Sequence, residues 1–237
     1  MTATPSTGTL GVAAADRRRG TERGSGGRVW PIAGAEEIFR FLYSSLETGT
    51  GTSVAVCSST TGEGKTTLSL GLAIAIAQDL PDRRVVVIET DLWRPVLASD
   101  FGIAVSPGLV DCLLDRQPLA SAIRATTLDN LSLLPAGTVI GSPQRLLRSR
   151  RMPEIIDAVR RTYDVVIVDT PAILAHSEVA VLAKMVEEVV FVVRVGVTQA
   201  RDVGSALGRL QGSNLRGMVL NDTHSSIPSP IRRLVRL

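Results

Sequence analysis

From Ser53 onward, short runs of β-branched and aliphatic residues alternate with longer stretches whose apolar positions recur at helical spacing. The runs Val54–Cys57, Arg84–Glu89, Leu131–Leu134, Val165–Asp169, Val189–Val195 and Met218–Leu220 predict strands. Strands alternating with helices are the signature of βαβ units, so the expected fold is α/β, a mainly parallel central sheet with helices on both faces. Runs such as Val165-Val166-Ile167-Val168 contain no polar alternation, which requires cover on both sides. A sheet of this kind binds ligands at the carboxyl ends of its strands, and that edge is where chemistry is sought. Ahead of the first strand, Glu36 to Leu46 predicts a short amphipathic helix, and Leu68 to Gln78 a longer one.

Composition narrows the function classes. Aromatic residues are 3% of the 237, so stacking on bases is not expected. The 26 basic and 23 acidic residues nearly balance, which gives no basic face for nucleic acid. Cys57 and Cys112 have neither CxxC nor Cys/His spacing, so no disulfide framework or metal site follows and a reducing compartment fits. No apolar run reaches the ~20 residues of a spanning helix. The N-terminus has no basic stretch followed by an apolar one, so a cytoplasmic location is expected.

One strand-to-helix junction carries specific chemistry. Val54–Cys57 leads into Ser58-Ser59-Thr60-Thr61-Gly62-Glu63-Gly64-Lys65-Thr66-Thr67, and a helix follows. This is a P-loop in its required context, with Ser59 where the pattern has its first glycine. Glycines let backbone N–H groups turn inward on phosphate oxygens, the helix N-terminus adds the positive end of its dipole, and Lys65 adds a mobile cation. Thr61, Gly62, Glu63, Gly64, Lys65, Thr66 and Thr67 are therefore expected to hold ATP, and the Thr66 hydroxyl to hold Mg²⁺. Further strands end Glu89-Thr90-Asp91 and Val168-Asp169-Thr170-Pro171. Carboxylates gathered beside the loop are better explained by metal than by capping: Asp169 holding Mg²⁺ or its water, Asp91 nearby as water orienter or base, and Glu89, one methylene longer, with them.

The order of these motifs, with Leu133-Leu134-Pro135-Ala136-Gly137, Ser142 to Leu147 and Gly217 to Asn221, resembles the bacterial tyrosine kinases of capsular and exopolysaccharide biosynthesis, the CpsD/CapB family. That family is similar in fold to the MinD/ParA ATPases, whose extra loop lysine is replaced here by Thr60. The resemblance implies catalytic roles for Lys65, Asp91 and Asp169, metal binding by Thr66, Asp91 and Asp169, and an adenine contact for Asn221, which could equally be a turn residue ending a strand. It also implies a homo-oligomer working with the cytoplasmic segment of a membrane chain-length regulator at the inner face of the plasma membrane. Residues 1–35 then read as a flexible N-terminal arm, 36–225 as the ATP-binding, kinase-like domain and 226–237 as a basic tail.

Departures from the pattern keep other readings open. The family's Asp-x-Asp-x-Arg appears as Glu89, Asp91 and Trp93, and its Glu-x-x-Arg-x-x-Arg subunit-contact helix ends at Tyr43 instead of an arginine. A non-kinase ATPase switch and a nucleotide-sensing module remain alternatives. The family's terminal tyrosine cluster has no counterpart: Tyr43 and Tyr163 are the only tyrosines, and Tyr163 reads as a packing residue. Incubation with Mg-ATP alone should accordingly leave little phosphotyrosine on the chain, whereas strong labelling of Tyr43 or Tyr163 by mass spectrometry would contradict this reading.

Overall fold

The computed structural model describes residues 36–46 and 51–222; the arm and tail anticipated at 1–35 and 226–237 lie outside the described residues. The strands are β1 (Thr52–Ser58), β2 (Val85–Glu89), β3 (Arg124–Ala125), β4 (Leu131–Leu134), β5 (Val165–Asp169), β6 (Glu188–Arg194) and β7 (Leu215–Asn221). They form one sheet in the order β3-β4-β2-β5-β1-β6-β7, parallel throughout except for β3 against β4. β1 lies between β5 and β6, in register from Thr52 opposite Val165 to Ser58 opposite Val192.

The continuous apolar runs have the predicted cause. Val165 and Ile167 of β5 enter one core layer with Val54, Val56, Val85 and Val87, while Val166 and Val168 enter the other with Ala55, Val86 and Ile88. The first layer is closed by α1 (Glu36–Ser45) and α2 (Lys65–Asp79), which contributes Leu68, Leu72 and Ile76; helix Arg151–Arg160 closes the second through Met152, Ile155, Ile156 and Val159. Tyr163 packs against this second layer. Both cysteines are buried free thiols, and burial pushes Cys57 up to about 12, so it is not a nucleophile near neutral pH.

Besides β7, which is longer than Met218–Leu220, two elements differ from the sequence expectation. β3 was not anticipated, because a pair of residues at the sheet edge offers no alternation to read. α2 starts at Lys65 instead of Leu68, since the lysine and threonines of the loop already form its first turn.

α1 packs on α2 through a glycine. A Cβ on Gly71 would lie 2.1 Å from Cζ of Phe39, so the ring occupies the space a side chain would need. Below this contact Arg40 donates to Asp79 through Nε (2.6 Å) and Nη2 (2.9 Å), and the Tyr43 hydroxyl donates to the same carboxylate at 2.8 Å. Arg40, from the helix that resembles a subunit contact, is thus engaged within its own chain. Gly71→Ala sets a helix-propensity gain of ~1 kcal/mol against an overpacking cost of ~1–3 kcal/mol. We expect a net loss of about 1 kcal/mol, read as a lower urea midpoint, with recovery in Gly71→Ala/Phe39→Leu; a more stable single variant would show that Phe39 does not hold α1 there.

Candidate functional site

β1 ends at Ser58, and the chain turns through Ser59 to Gly64 before entering α2. Gly62 and Gly64 take φ of 84° and 101°, left-handed values that side chains disfavour. Gly64 is also constrained from outside: Asn221, at the end of β7, donates Nδ2–H to the Glu63 carbonyl at 2.8 Å, and a Cβ on Gly64 would lie 2.1 Å from that nitrogen. The edge strand therefore fixes the shape of the loop.

Lys65 is only 6% exposed, and its Nζ donates to the Ser58 hydroxyl at 2.9 Å, a neutral partner instead of a carboxylate. Burial pulls its pKa down, against the charges of Asp169, Asp91 and Glu63, which favour the ammonium. Beside it the Asp169 carboxylate, at the end of β5, accepts from Thr66 Oγ1 at 2.7 Å and from Ser69 Oγ at 3.0 Å. Asp169 is fully enclosed, and desolvation outweighs both hydrogen bonds and the Lys65 charge, pushing its pKa up to about 6. Asp91 stands half-buried past β2, its Oδ1 accepting the N–H groups of Trp93 (3.2 Å) and Arg94 (3.1 Å) in a side-chain-closed turn.

Lys65, Thr66, Asp169 and Asp91 are thus brought together, whereas Glu89, although paired with Asp169 across the sheet, commits its carboxylate to backbone N–H groups. Its extra methylene carries the carboxylate past the edge, where Oε1 accepts from Val96 N (2.5 Å) and Leu97 N (2.9 Å) and Oε2 from Ala136 N (2.9 Å). The expected gathering of three acids is corrected accordingly: among the described residues no group of three or more His, Cys, Asp or Glu can hold a metal ion. A divalent ion at Thr66 and Asp169 would take its remaining ligands from water and phosphate, the habit of Mg²⁺.

The residues present fit a polyphosphate with such an ion. A buried ammonium with a hydroxyl partner, a loop bent by left-handed glycines and a hydroxyl–carboxylate pair form its donor set. Thr61 and Gly62 are exposed at the loop tip, and Thr66 and Thr67 are half-buried. Glu63 turns inward: Oε1 accepts from Thr60 Oγ1 (2.9 Å) and Thr198 Oγ1 (2.7 Å), while Oε2 is buried and, among the described residues, without a hydrogen-bond partner. Sequence reasoning missed Ser58, Ser69, Thr198 and His176, whose ring stacks on Trp93 with centroids 3.8 Å apart. Ser69 was findable, lying on the helix face of Thr66 three residues on. Thr198, 135 residues from Glu63, left no local signal.

Residues 51–199 match the family model described as an AAA domain. The chain belongs to that family. Within it, the resemblance to bacterial tyrosine kinases holds. The tyrosine-protein kinase ptk of Acinetobacter johnsonii is 30% identical over 147 residues, which cover 61% of this chain and 20% of that protein. This AAA domain chain therefore spans about a fifth of the length of the curated relatives it matches. The kinase domain of the Escherichia coli tyrosine kinase ETK superposes with a TM-score of 0.79 at 28% identity, over 93% of this chain and 94% of that one. The septum site-determining protein MinD of Pyrococcus horikoshii, complexed with Mg-ADP, gives a TM-score of 0.59 at 27% identity over 78% of this chain and 76% of that one. The mainly parallel P-loop architecture of the domain is common to these neighbours.

The raised Asp169 value sets a pH dependence. Because the folded value lies above the ordinary aspartate value of 3.8, the protonated group favours the fold, a contribution complete below about pH 4 and lost as pH rises through about 6. Asp169→Asn removes this loss. In metal chelator, the difference in Tm between Asp169→Asn and the parent should grow in favour of the variant from about pH 4 to pH 7; a difference that stays flat would mean the carboxylate is not desolvated as described.

Proposed function

We propose that the domain binds Mg-ATP at Ser59 to Thr67 and transfers the γ-phosphoryl group to protein tyrosine. The observation that carries this reading is the buried Lys65 ammonium, held by Ser58 at the centre of the loop and flanked by the Thr66–Asp169 pair. The kinase names of the relatives support the acceptor class. A Mg²⁺ ion held by Thr66 and Asp169 would supply positive charge to the triphosphate. Lys65 and the loop N–H groups bind and orient the triphosphate, and they face charge that grows during transfer. Thr66 and Asp169 hold the ion, and Asp91 takes the proton from the acceptor hydroxyl. Its turn, closed on the Trp93 and Arg94 N–H groups, keeps the carboxylate in place for that step. Asn221, whose side chain bonds the Glu63 carbonyl, is the residue that would contact the adenine in this reading.

The partner in this reading is the cytoplasmic segment of a membrane chain-length regulator, with the domain acting as a homo-oligomer on the cytoplasmic side. No helix among the described residues is long and apolar enough to cross a membrane. The acceptor tyrosine then belongs to that partner or to another protein.

Incubation with Mg-ATP and a tyrosine-bearing peptide of the regulator should yield phosphotyrosine; free phosphate alone would identify an ATPase switch, and neither product a nucleotide-sensing module. In calorimetry, Lys65→Met should abolish ATP binding while the protein stays folded. Asp169→Asn should lose most of the Mg²⁺-dependent increment in ATP affinity, yet bind metal-free ATP as well as the parent or better, because a negative charge near the triphosphate is gone. An unchanged Mg²⁺ increment in folded Asp169→Asn would reduce that residue to a cap on α2.

A further inference from the structure

Next to Asp91, the carboxyl edge of the sheet carries a pair of stacked rings bordered by guanidinium groups. Trp93, in the turn that Asp91 closes, stacks on His176 with centroids 3.8 Å apart and planes 27° apart. His176 lies in the segment after β5, where the Ile173 N–H donates to the Ser58 carbonyl (3.0 Å) and the Leu174 N–H to the Ser59 carbonyl (3.1 Å). The stack therefore bridges the turn that carries Asp91 and a segment fastened to the start of the phosphate loop. Both of its residues are half-buried.

The guanidinium groups are placed by their bonds around this stack. Arg94 adjoins Trp93 and is exposed. Arg148 donates through Nη2 to Ser177 Oγ (2.8 Å), beside His176, and through Nε to Glu178 Oε1 (3.0 Å). Arg145 is exposed three residues before Arg148. Arg209, also exposed, donates through Nη1 to the carbonyls of Ile173 (2.8 Å) and Leu174 (3.0 Å). Arg148 has the buried Glu178 as counter-ion, whereas Arg94, Arg145 and Arg209 have no carboxylate partner among the described residues. The carbonyls under Arg209 hold its charge in place without neutralising it. Open guanidinium groups beside an aromatic pair are complementary to an aromatic side chain flanked by carboxylates.

We propose that this rim receives an acidic peptide segment, so that the acceptor is a tyrosine with Asp or Glu on either side of it. The inference takes its chemistry from the phosphoryl transfer to tyrosine proposed above. An acceptor whose hydroxyl meets Asp91 lies against the Trp93–His176 pair, and its neighbouring carboxylates pair with Arg94, Arg145 and Arg209. Neither tyrosine of this chain is such an acceptor, since Tyr43 donates to Asp79 and Tyr163 packs on the second core layer.

Two peptides test the rim, each with a single tyrosine, flanked by glutamates in one and by lysines in the other, together with forms carrying phenylalanine in place of the tyrosine. In fluorescence anisotropy with the full chain, the glutamate peptide with phenylalanine should bind ~10-fold more tightly than its lysine counterpart, the scale of a few exposed ion pairs, and should lose that advantage in high salt. With Mg-ATP, the glutamate peptide with tyrosine should be the better acceptor through KM and not through kcat. Arg94→Glu and Arg145→Glu, each shown to be folded by circular dichroism, should each reduce the preference severalfold. Arg161→Glu, exposed past the far end of helix Arg151–Arg160, should leave it unchanged. Equal binding of the two peptides overturns the proposal, as does a preference that both folded rim variants retain. A preference that Arg161→Glu reduces as much as they do reflects net charge alone and also overturns it. Preferential binding of the glutamate peptide with no phosphotyrosine formed would uphold the acidic-segment surface and remove the transfer reading.

Discussion

The arrangement depends on one buried carboxylate. Asp169 closes β5 and is bonded by Thr66 and Ser69, both in the opening turns of α2, so a single side chain joins the strand next to β1 to the helix that follows β1. Enclosing a carboxylate this fully is costly unless it is bonded and near a cation, and here the hydroxyls and Lys65 supply both conditions. Desolvation still prevails over them in the absence of metal. The same residue that organises the sheet edge is thereby left electrostatically unsatisfied, a state that the divalent ion proposed for this site would relieve.

Around that carboxylate the loop is held from several directions. Ser58 holds Lys65, Thr198 holds the Glu63 side chain, and Asn221 holds the Glu63 carbonyl. Thr90 and Thr170 add hydroxyl bonds to the carbonyls of Asp169 and Val56, tying together the strands on either side. The loop is thus preorganised by side chains at the ends of β1, β5 and β7 and by Thr198 beyond β6.

Much of this was legible in the sequence because period and punctuation are local signals. Each anticipated strand formed, and the assignment of alternate β5 residues to opposite core layers follows from the two-residue period of a strand covered on both faces. The placement of Lys65, Thr66 and Asp169 followed from strand–loop–helix context. Less legible was anything decided by reach across space. Glu89 looked like a member of the acidic cluster, but one additional methylene lets it satisfy three backbone N–H groups instead, which a one-dimensional motif cannot distinguish from metal binding. β7 was underestimated because only Val219 within it is buried, an edge strand that shows little hydrophobic pattern.

The bond from Asn221 to the loop has a consequence in time as well as in space. The residue that shapes the turn before Gly64 is made 158 positions after Glu63, and both neighbours of β1 are also synthesised long after β1 itself. A nascent chain that has already emitted its phosphate loop therefore lacks the Asn221 restraint on it until β7 is made. The loop thus reaches its full set of restraints late in biosynthesis, after β7 has been made.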